Sequence, residues 1–209
     1  MTVETGNKPR GRTDGVRLIL ASASPRRREL LARLGLPFEV VPADVVEHEP
    51  PGSEDPRGLV LHNAVLKADA VAAANPGAIV LGADTTVFLG GEVFHKPANL
   101  DEARAMLKRL SGRTHTVFTG LAVRGRGLAL EGSEESHVTF RPLKDDDIDV
   151  FFTRCDPTDK AGGYGIQEGG ELIVERYEGP LDNIIGLPLR AAEQILTLAG
   201  LRPTLMHTE

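Results

Sequence analysis

Stretches of apolar and polar residues alternate along the chain in a way that predicts strands and helices in turn. Short continuous apolar runs, at 18–21 and 78–83, are typical of buried strands. Apolar residues spaced three and four apart predict helices, most clearly over 103–110. These two criteria predict strands at 18–21, 38–41, 78–83, 117–123 and 171–177, and helices at 25–34, 57–74, 103–110, 148–152 and 192–199.

Two hairpins are expected to interrupt this alternation. Gly90-Gly91 separates the apolar segments 87–89 and 92–94, and the alternating strand at 117–123 has a candidate partner near 137–140. Strands joined by helices favour parallel pairing, whereas hairpins require antiparallel pairing. We therefore expect an α/β fold with a mixed, twisted sheet and flanking helices, not a purely parallel sheet.

Composition narrows the class of protein. The 209 residues are 41% hydrophobic, which is enough for a sizeable core, and 24 basic against 30 acidic residues give a net charge of −6. That balance argues against binding long nucleic acids, and the single cysteine excludes an intrachain disulfide. No apolar stretch reaches the length of a membrane span, and the first residues lack the apolar region of a signal peptide, so we expect a cytoplasmic protein. We expect tails at 1–15 and 204–209 and one domain over 16–203.

The helix after the first strand has an unusual charge pattern. Ser24 is a suitable N-cap, but Arg26, Arg27 and Arg28 crowd the first turn, where the helix dipole is already positive. A bound anion would stabilise this arrangement, because free N–H groups, serine hydroxyls and guanidinium groups together bind phosphate well. The alternative is that the arginines extend into solvent. We favour solvent for Arg28 and an anion site for Arg26 and Arg27.

Three further positions are candidates, each with a simpler alternative. Asp84 follows an apolar strand, where ligands bind in open α/β sheets, but ordinary turn aspartates are as common there. Lys67 and Lys96, taken singly, are best explained as surface lysines. In DKAGGYGIQ, residues 159–167, the glycines allow close approach to a ligand and the Gln167 amide suits a base edge; the alternative is a flexible loop. The six histidines show no metal-ligand spacing, and no Walker or dinucleotide motif is present.

Taken in order, the motifs resemble those of the Maf family, nucleoside triphosphate pyrophosphatases that use a divalent cation. The resemblance runs from about residue 18 to residue 201 and rests on ASASPRRRELL, the glutamate after FEVVPADVV, Lys67-Ala68, GADTTV, Lys96-Pro97, LSGRTHTVFTG, DKAGGYGIQ and NIIGLPL. It implies two lobes around a central cleft, as in inosine triphosphatases.

The resemblance also implies roles for individual residues. Asp84 would accept a proton from the attacking water. Glu47 and Asp84 would help to hold the cation, Mg²⁺ or Mn²⁺. The residues that would hold the triphosphate are Ser22, Arg27, Lys67 and Lys96.

Substrate choice in the pyrimidine branch of the family depends on three positions, occupied here by Arg26, Thr85 and Gln167. All three match, so the resemblance implies a dTTP/UTP pyrophosphatase. The alternatives are the sister activity on 7-methyl-GTP and a non-catalytic, nucleotide-binding regulator of septum formation. His95 and Glu168 stand where the family commonly has glycine, and Glu168 adjoins Gln167. A nucleotide is the expected partner, without nucleic acid or membrane, and a homodimer is one alternative for the oligomeric state.

Overall fold

The computed structural model describes residues 15–47 and 55–205, so most of the predicted N-terminal tail and residues 206–209 lie outside the described part. The strands are β1 (Leu18–Leu20), β2 (Glu39–Val40), β3 (Ile79–Leu89), β4 (Glu92–Phe94), β5 (Thr114–Gly125), β6 (Leu128–Phe140) and β7 (Val174–Glu178). The helices are α1 (Pro25–Ala32), α2 (Pro56–Ala74), α3 (Leu100–Leu110), α4 (Asp145–Phe152), α5 (Gly170–Ile173), α6 (Leu181–Ile185) and α7 (Leu189–Leu198).

The strands form one seven-stranded sheet in the order β2-β1-β3-β5-β6-β7, with β4 paired to β3. β1 is parallel to β2 and β3, and the remaining pairs are antiparallel. β3 with β4 and β5 with β6 form the two expected hairpins. The prediction of an α/β fold with a mixed sheet is therefore confirmed. No helix within the described ranges is both long enough and apolar enough to cross a membrane.

One edge of β3 is interrupted, and this interruption positions the site. On that edge β1 pairs with residues 79–81 and β4 pairs with residues 87–89. Between them, no strand of the described chain pairs with residues 82–86, whereas β5 pairs continuously along the opposite edge. The sheet thus has an opening on one edge of β3, opposite the continuous pairing with β5.

Helix α2 lies unusually close to the sheet beside this opening. Gly82 on β3 and Gly120 on β5 allow the approach: a Cβ at Gly82 would lie 2.3 Å from the Ala64 carbonyl oxygen, and one at Gly120 would lie 2.5 Å from the Val60 carbonyl. Because heavy atoms cannot approach so closely, only glycine fits at these positions. The polar side chains of α2 are therefore brought directly onto β3.

The apolar core is divided at the same level of the sheet. One large cluster joins α1 and α7 to residues such as Ala83, and another joins α3 and α4 to residues such as Val87. The polar segment Asp84-Thr85-Thr86 lies between them on β3. This division agrees with the expected pair of lobes around a cleft.

Two details of the predicted elements are wrong. Asp84 does not end its strand but lies within β3, because pairing with β5 carries the strand on through residue 88. The strand predicted at 171–177 begins as helix α5, and only Val174–Glu178 is extended. Gly169, with φ of 86°, supplies the left-handed residue before that helical turn.

Candidate functional site

A cleft of about 660 Å³ lies beside the interrupted edge of β3. Since neither β1 nor β4 covers the edge, the cleft reaches groups on both faces of the strand. Every site residue predicted from the sequence lines it, from segments far apart in the chain: Ser22, Arg26, Arg27, Glu47, Lys67, Asp84, Thr85, Lys96 and Gln167.

Arg27 extends into the cleft from the first turn of α1. Its backbone N–H is capped by the Ser24 hydroxyl at 3.4 Å. Its guanidinium group donates to Gly186 O at 2.9 Å, to Ser22 Oγ at 3.3 Å and to Thr85 Oγ1 at 3.0 Å. All three acceptors are neutral. Pro25 at the start of the helix supplies no N–H, which suits this position.

The charge of Arg27 is incompletely balanced. It forms no ion pair with any residue that the structure describes. Burial lowers the pKa of Arg27, and the more distant negative charges of Asp84 and Glu47 oppose that shift. A guanidinium group stays protonated in proteins, so the cleft contains a partly desolvated cation that an anion would stabilise. Arg28 is exposed, as expected.

A second cluster of charges lies on the α2 face of β3. Lys67 Nζ is 2.7 Å from Asp84 Oδ1 and 2.8 Å from Glu47 Oε1. Asn63 Nδ2 donates to Asp84 Oδ2 at 3.3 Å. Lys67 is 9% exposed, so its interpretation as a surface lysine is wrong. Because α2 packs closely on β3, the Lys67 side chain lies against the carboxylates that line the cleft.

These carboxylates suit a hard divalent cation. In the part of the chain that the structure describes, no group of three or more His, Cys, Asp or Glu residues could hold a metal by itself. Asp84 and Glu47, however, already share one cationic group, the Lys67 ammonium. Mg²⁺ is typically held by one or two carboxylates, with substrate phosphates and waters completing its coordination. The donor set therefore fits a cation that binds together with a phosphate substrate.

Thr85 faces the opposite side of β3 from Asp84, because side chains alternate along a strand. Its hydroxyl lies 3.0 Å from Thr119 Oγ1 and accepts from Arg27. Thr119 in turn donates to the carbonyl oxygen of Asn183, at the start of the segment leading to Gly186. Thr85 thus connects the arginine to the α6 side of the cleft.

Arg26 is paired within the chain. Its guanidinium group lies 2.9 Å from Asp159 Oδ2 and 3.8 Å from Glu168 Oε1. Both carboxylates also contact the buried Lys160 ammonium, at 2.6 Å and 2.9 Å. Although burial favours the neutral acid, these cations lower the pKa of Asp159. The expected anion at Arg26 is here a carboxylate of the glycine-rich loop, and exposed Gln167 follows on that loop.

The glycine-rich loop rests on a buried aromatic group. Tyr164 Oη lies 2.7 Å from His115 Nε2, and the rings of Tyr164 and Phe140 meet edge-on with centroids 4.9 Å apart. Burial lowers the pKa of His115 to about 3, so the imidazole is neutral and structural.

Lys96 follows β4 and lies exposed at the other side of the cleft.

Comparison with known proteins identifies the family. The family model described as Maf-like protein matches residues 17–199. The chain belongs to the Maf family.

This chain is similar in sequence to Maf relatives over nearly their whole length. A protein of Anaeromyxobacter dehalogenans (strain 2CP-1) named dTTP/UTP pyrophosphatase is 48% identical over 188 residues, with 88% of this chain and 94% of that protein covered. Another of that name, from Akkermansia muciniphila, is 45% identical over 185 residues, covering 88% and 97%. The solved Ham1 protein of Staphylococcus aureus has a TM-score of 0.50 at 13% identity, covering 88% of this chain and 98% of that one. At that identity the likeness shows a shared fold alone.

Three polar residues of the Maf cleft had no assigned role from sequence. Lys160 was inside the DKAG motif, but nothing in its spacing indicated that two carboxylates would surround it. Asn63 and Thr86 lie beside Asp84, one on α2 and one on β3. Asn63 lies one helical turn before Lys67, and that spacing is the one signal that could have indicated a shared face.

Proposed function

We propose that this Maf protein hydrolyses dTTP and UTP to the nucleoside monophosphate and pyrophosphate. Relatives of almost the same length bear that activity as their name. The observation on this chain that carries the proposal is the partly buried Arg27 guanidinium, which faces a cleft and has only neutral hydrogen-bond partners among the described residues. A polyphosphate is the class of ligand that such a cation recognises most strongly.

The triphosphate would lie between α1 and the loop that follows β4. Arg27 would bind phosphate oxygens from one side with the Ser22 hydroxyl, and the exposed Lys96 would bind them from the other. Phosphate-binding sites combine a helix N-terminus with such cations. Lys67 would contribute when its ammonium group moves from Asp84 to a phosphate oxygen.

Asp84 would act as the general base. The attacking water passes a proton to its carboxylate as the water oxygen bonds to phosphorus in the α–β anhydride. The bridging P–O bond breaks, and its electron pair leaves with the departing phosphate oxygen. Cationic groups aimed at those oxygens stabilise the charge that develops.

Asp84 and Glu47 would hold Mg²⁺ or Mn²⁺. When bound, the cation would neutralise phosphate charge and polarise the phosphoryl oxygens. Lys67 already occupies the space between the two carboxylates, so its movement toward phosphate would leave both of them available.

Base selectivity would come from Arg26, Thr85 and Gln167. The amide of Gln167 offers both a donor and an acceptor, which suits the alternating oxygen and N–H groups of a thymine or uracil edge. Arg26 is held against the glycine-rich loop by Asp159 at 2.9 Å, so the loop and α1 would close on the base together.

The test is a nucleotide panel with Mg²⁺ or Mn²⁺, measuring pyrophosphate release from dTTP, UTP, GTP, ATP and 7-methyl-GTP. We expect the highest kcat/KM with dTTP and UTP. Preference for 7-methyl-GTP would assign the sister activity instead. Nucleotide binding without release from any substrate would assign a non-catalytic regulator.

A further inference from the structure

Two buried polar atoms beside Asp84 lack hydrogen-bond partners. In the described part of the chain, neither Asn63 Oδ1 nor Thr86 Oγ1 has one. Asn63 is 5% exposed and Thr86 is 3% exposed, and both line the cleft. Thr86 follows Asp84 by two residues on β3, so both side chains point to the face covered by α2. The two unpartnered atoms therefore lie on the same side of the strand as the proposed base.

The hydrogen bond to Asp84 determines how the Asn63 amide is oriented. A carboxylate only accepts, so the NH₂ group of Asn63 must face Asp84 Oδ2, 3.3 Å away. The carbonyl oxygen then points away from the carboxylate and remains an acceptor without a donor. Leaving such an atom unpaired destabilises a folded protein, so a donor that enters with the substrate would bind favourably there.

We propose that Asn63 is a positioning residue for the water that attacks the phosphoanhydride. The inference rests on the pyrophosphatase activity proposed above. The water donates one hydrogen to Asp84, which takes that proton during the reaction, and the other to Asn63 Oδ1. The Thr86 hydroxyl donates to one lone pair of the water, and the remaining lone pair is directed at phosphorus. Asn63 Nδ2 meanwhile keeps the carboxylate from rotating.

Room for this water depends on Lys67. In the present structure its ammonium group lies 2.7 Å from Asp84 Oδ1, and Asn63 Oδ1 and Thr86 Oγ1 are buried. When Lys67 turns to the phosphates, Asp84 loses one partner and the space beside Asn63 opens. The water would therefore enter together with the substrate, and the Asp84 carboxylate would remain paired with Lys67 when no nucleotide is bound.

The main experiment compares Asn63→Leu with the wild type in steady-state dTTP and UTP hydrolysis. Leucine is similar in size and apolar, so it removes both hydrogen bonds while filling the space. We expect kcat to fall about 10- to 100-fold with KM within about threefold, because the interaction forms with the water and not with the nucleotide. The melting temperature should not fall. His62→Ala, at the exposed neighbouring position of α2, is the control and should retain full kcat.

Two further variants decide the matter if Asn63→Leu fails to fold. Asn63→Asp keeps the shape but replaces the donor to Asp84 by an anion, and Thr86→Val removes only the hydroxyl; both should lower kcat more than they raise KM. Folded variants with wild-type kcat would overturn the inference, and so would a loss explained entirely by a smaller folded fraction. Wild-type protein that releases no pyrophosphate would instead refute the proposed function itself.

Discussion

Replacing Arg27 by methionine tests the anion site most directly. Methionine is shorter but keeps an unbranched apolar side chain, and it removes the charge and all three hydrogen bonds to Gly186, Ser22 and Thr85. Those acceptors line an open cleft, so water can replace the guanidinium group. The variant also removes a cation that burial disfavours, as the lowered pKa indicates. We therefore expect it to fold.

The expected loss of activity follows from the strength of the contact with phosphate. A hydrogen bond to a charged group contributes about 1.5–3 kcal/mol. Since about 1.4 kcal/mol corresponds to a tenfold change in rate, one such contact predicts a fall in kcat/KM of roughly 10- to 150-fold. A guanidinium group that binds two phosphate oxygens would place the result at the upper end of that range.

Pyrophosphate release from dTTP should be measured together with thermal unfolding for both this variant and Arg28→Met. Arg28 is adjacent in α1 but exposed, so its replacement should leave kcat/KM within about twofold of the wild type. Equal and small effects of the two substitutions would show that the arginines merely extend into solvent. A large effect of Arg28→Met would contradict the assignment of Arg28 to solvent.

Three further predictions concern chemistry, pH and packing. Asp84→Asn should reduce pyrophosphate release by ~10²–10⁴-fold, while nucleotide binding measured by calorimetry survives. Near-normal turnover would show that Asp84 is not the general base. The folded protein keeps His115 neutral down to a pKa of about 3, whereas the unfolded chain takes up a proton near pH 6.5, so stability should fall as the pH drops between these values. The slope is up to ~1.4 kcal/mol per pH unit, and urea unfolding of His115→Phe should lack this part of it. Gly82→Ala should destabilise the protein by about 1–3 kcal/mol, because its Cβ would lie 2.3 Å from the Ala64 carbonyl oxygen; Gly132→Ala, with no atom within 4 Å, should not, and equal melting temperatures would contradict the packing argument.

Local patterns predicted the types of most elements but not all of their limits. The apolar runs before Asp84 and after Thr86 predict two strands, since polar residues usually mark the end of a strand. The structure joins them into β3, because β5 pairs along the whole length and the interrupted edge admits polar side chains. The boundary between helix and strand around residues 170–174 is equally hard to predict, since α5 runs directly into β7 without a loop between them.

The sequence by itself determined the family, the mixed α/β class and most of the polar residues that meet in the cleft, because these follow from apolar periodicity and from ordered motifs. Tertiary structure alone decided their partners. Lys67 meets Asp84 and Glu47 rather than solvent, and Arg26 meets Asp159 across the cleft. Such contacts depend on how closely α2 and the glycine-rich loop approach β3. That distance is a property of packing between remote segments, and no local pattern of residues encodes it.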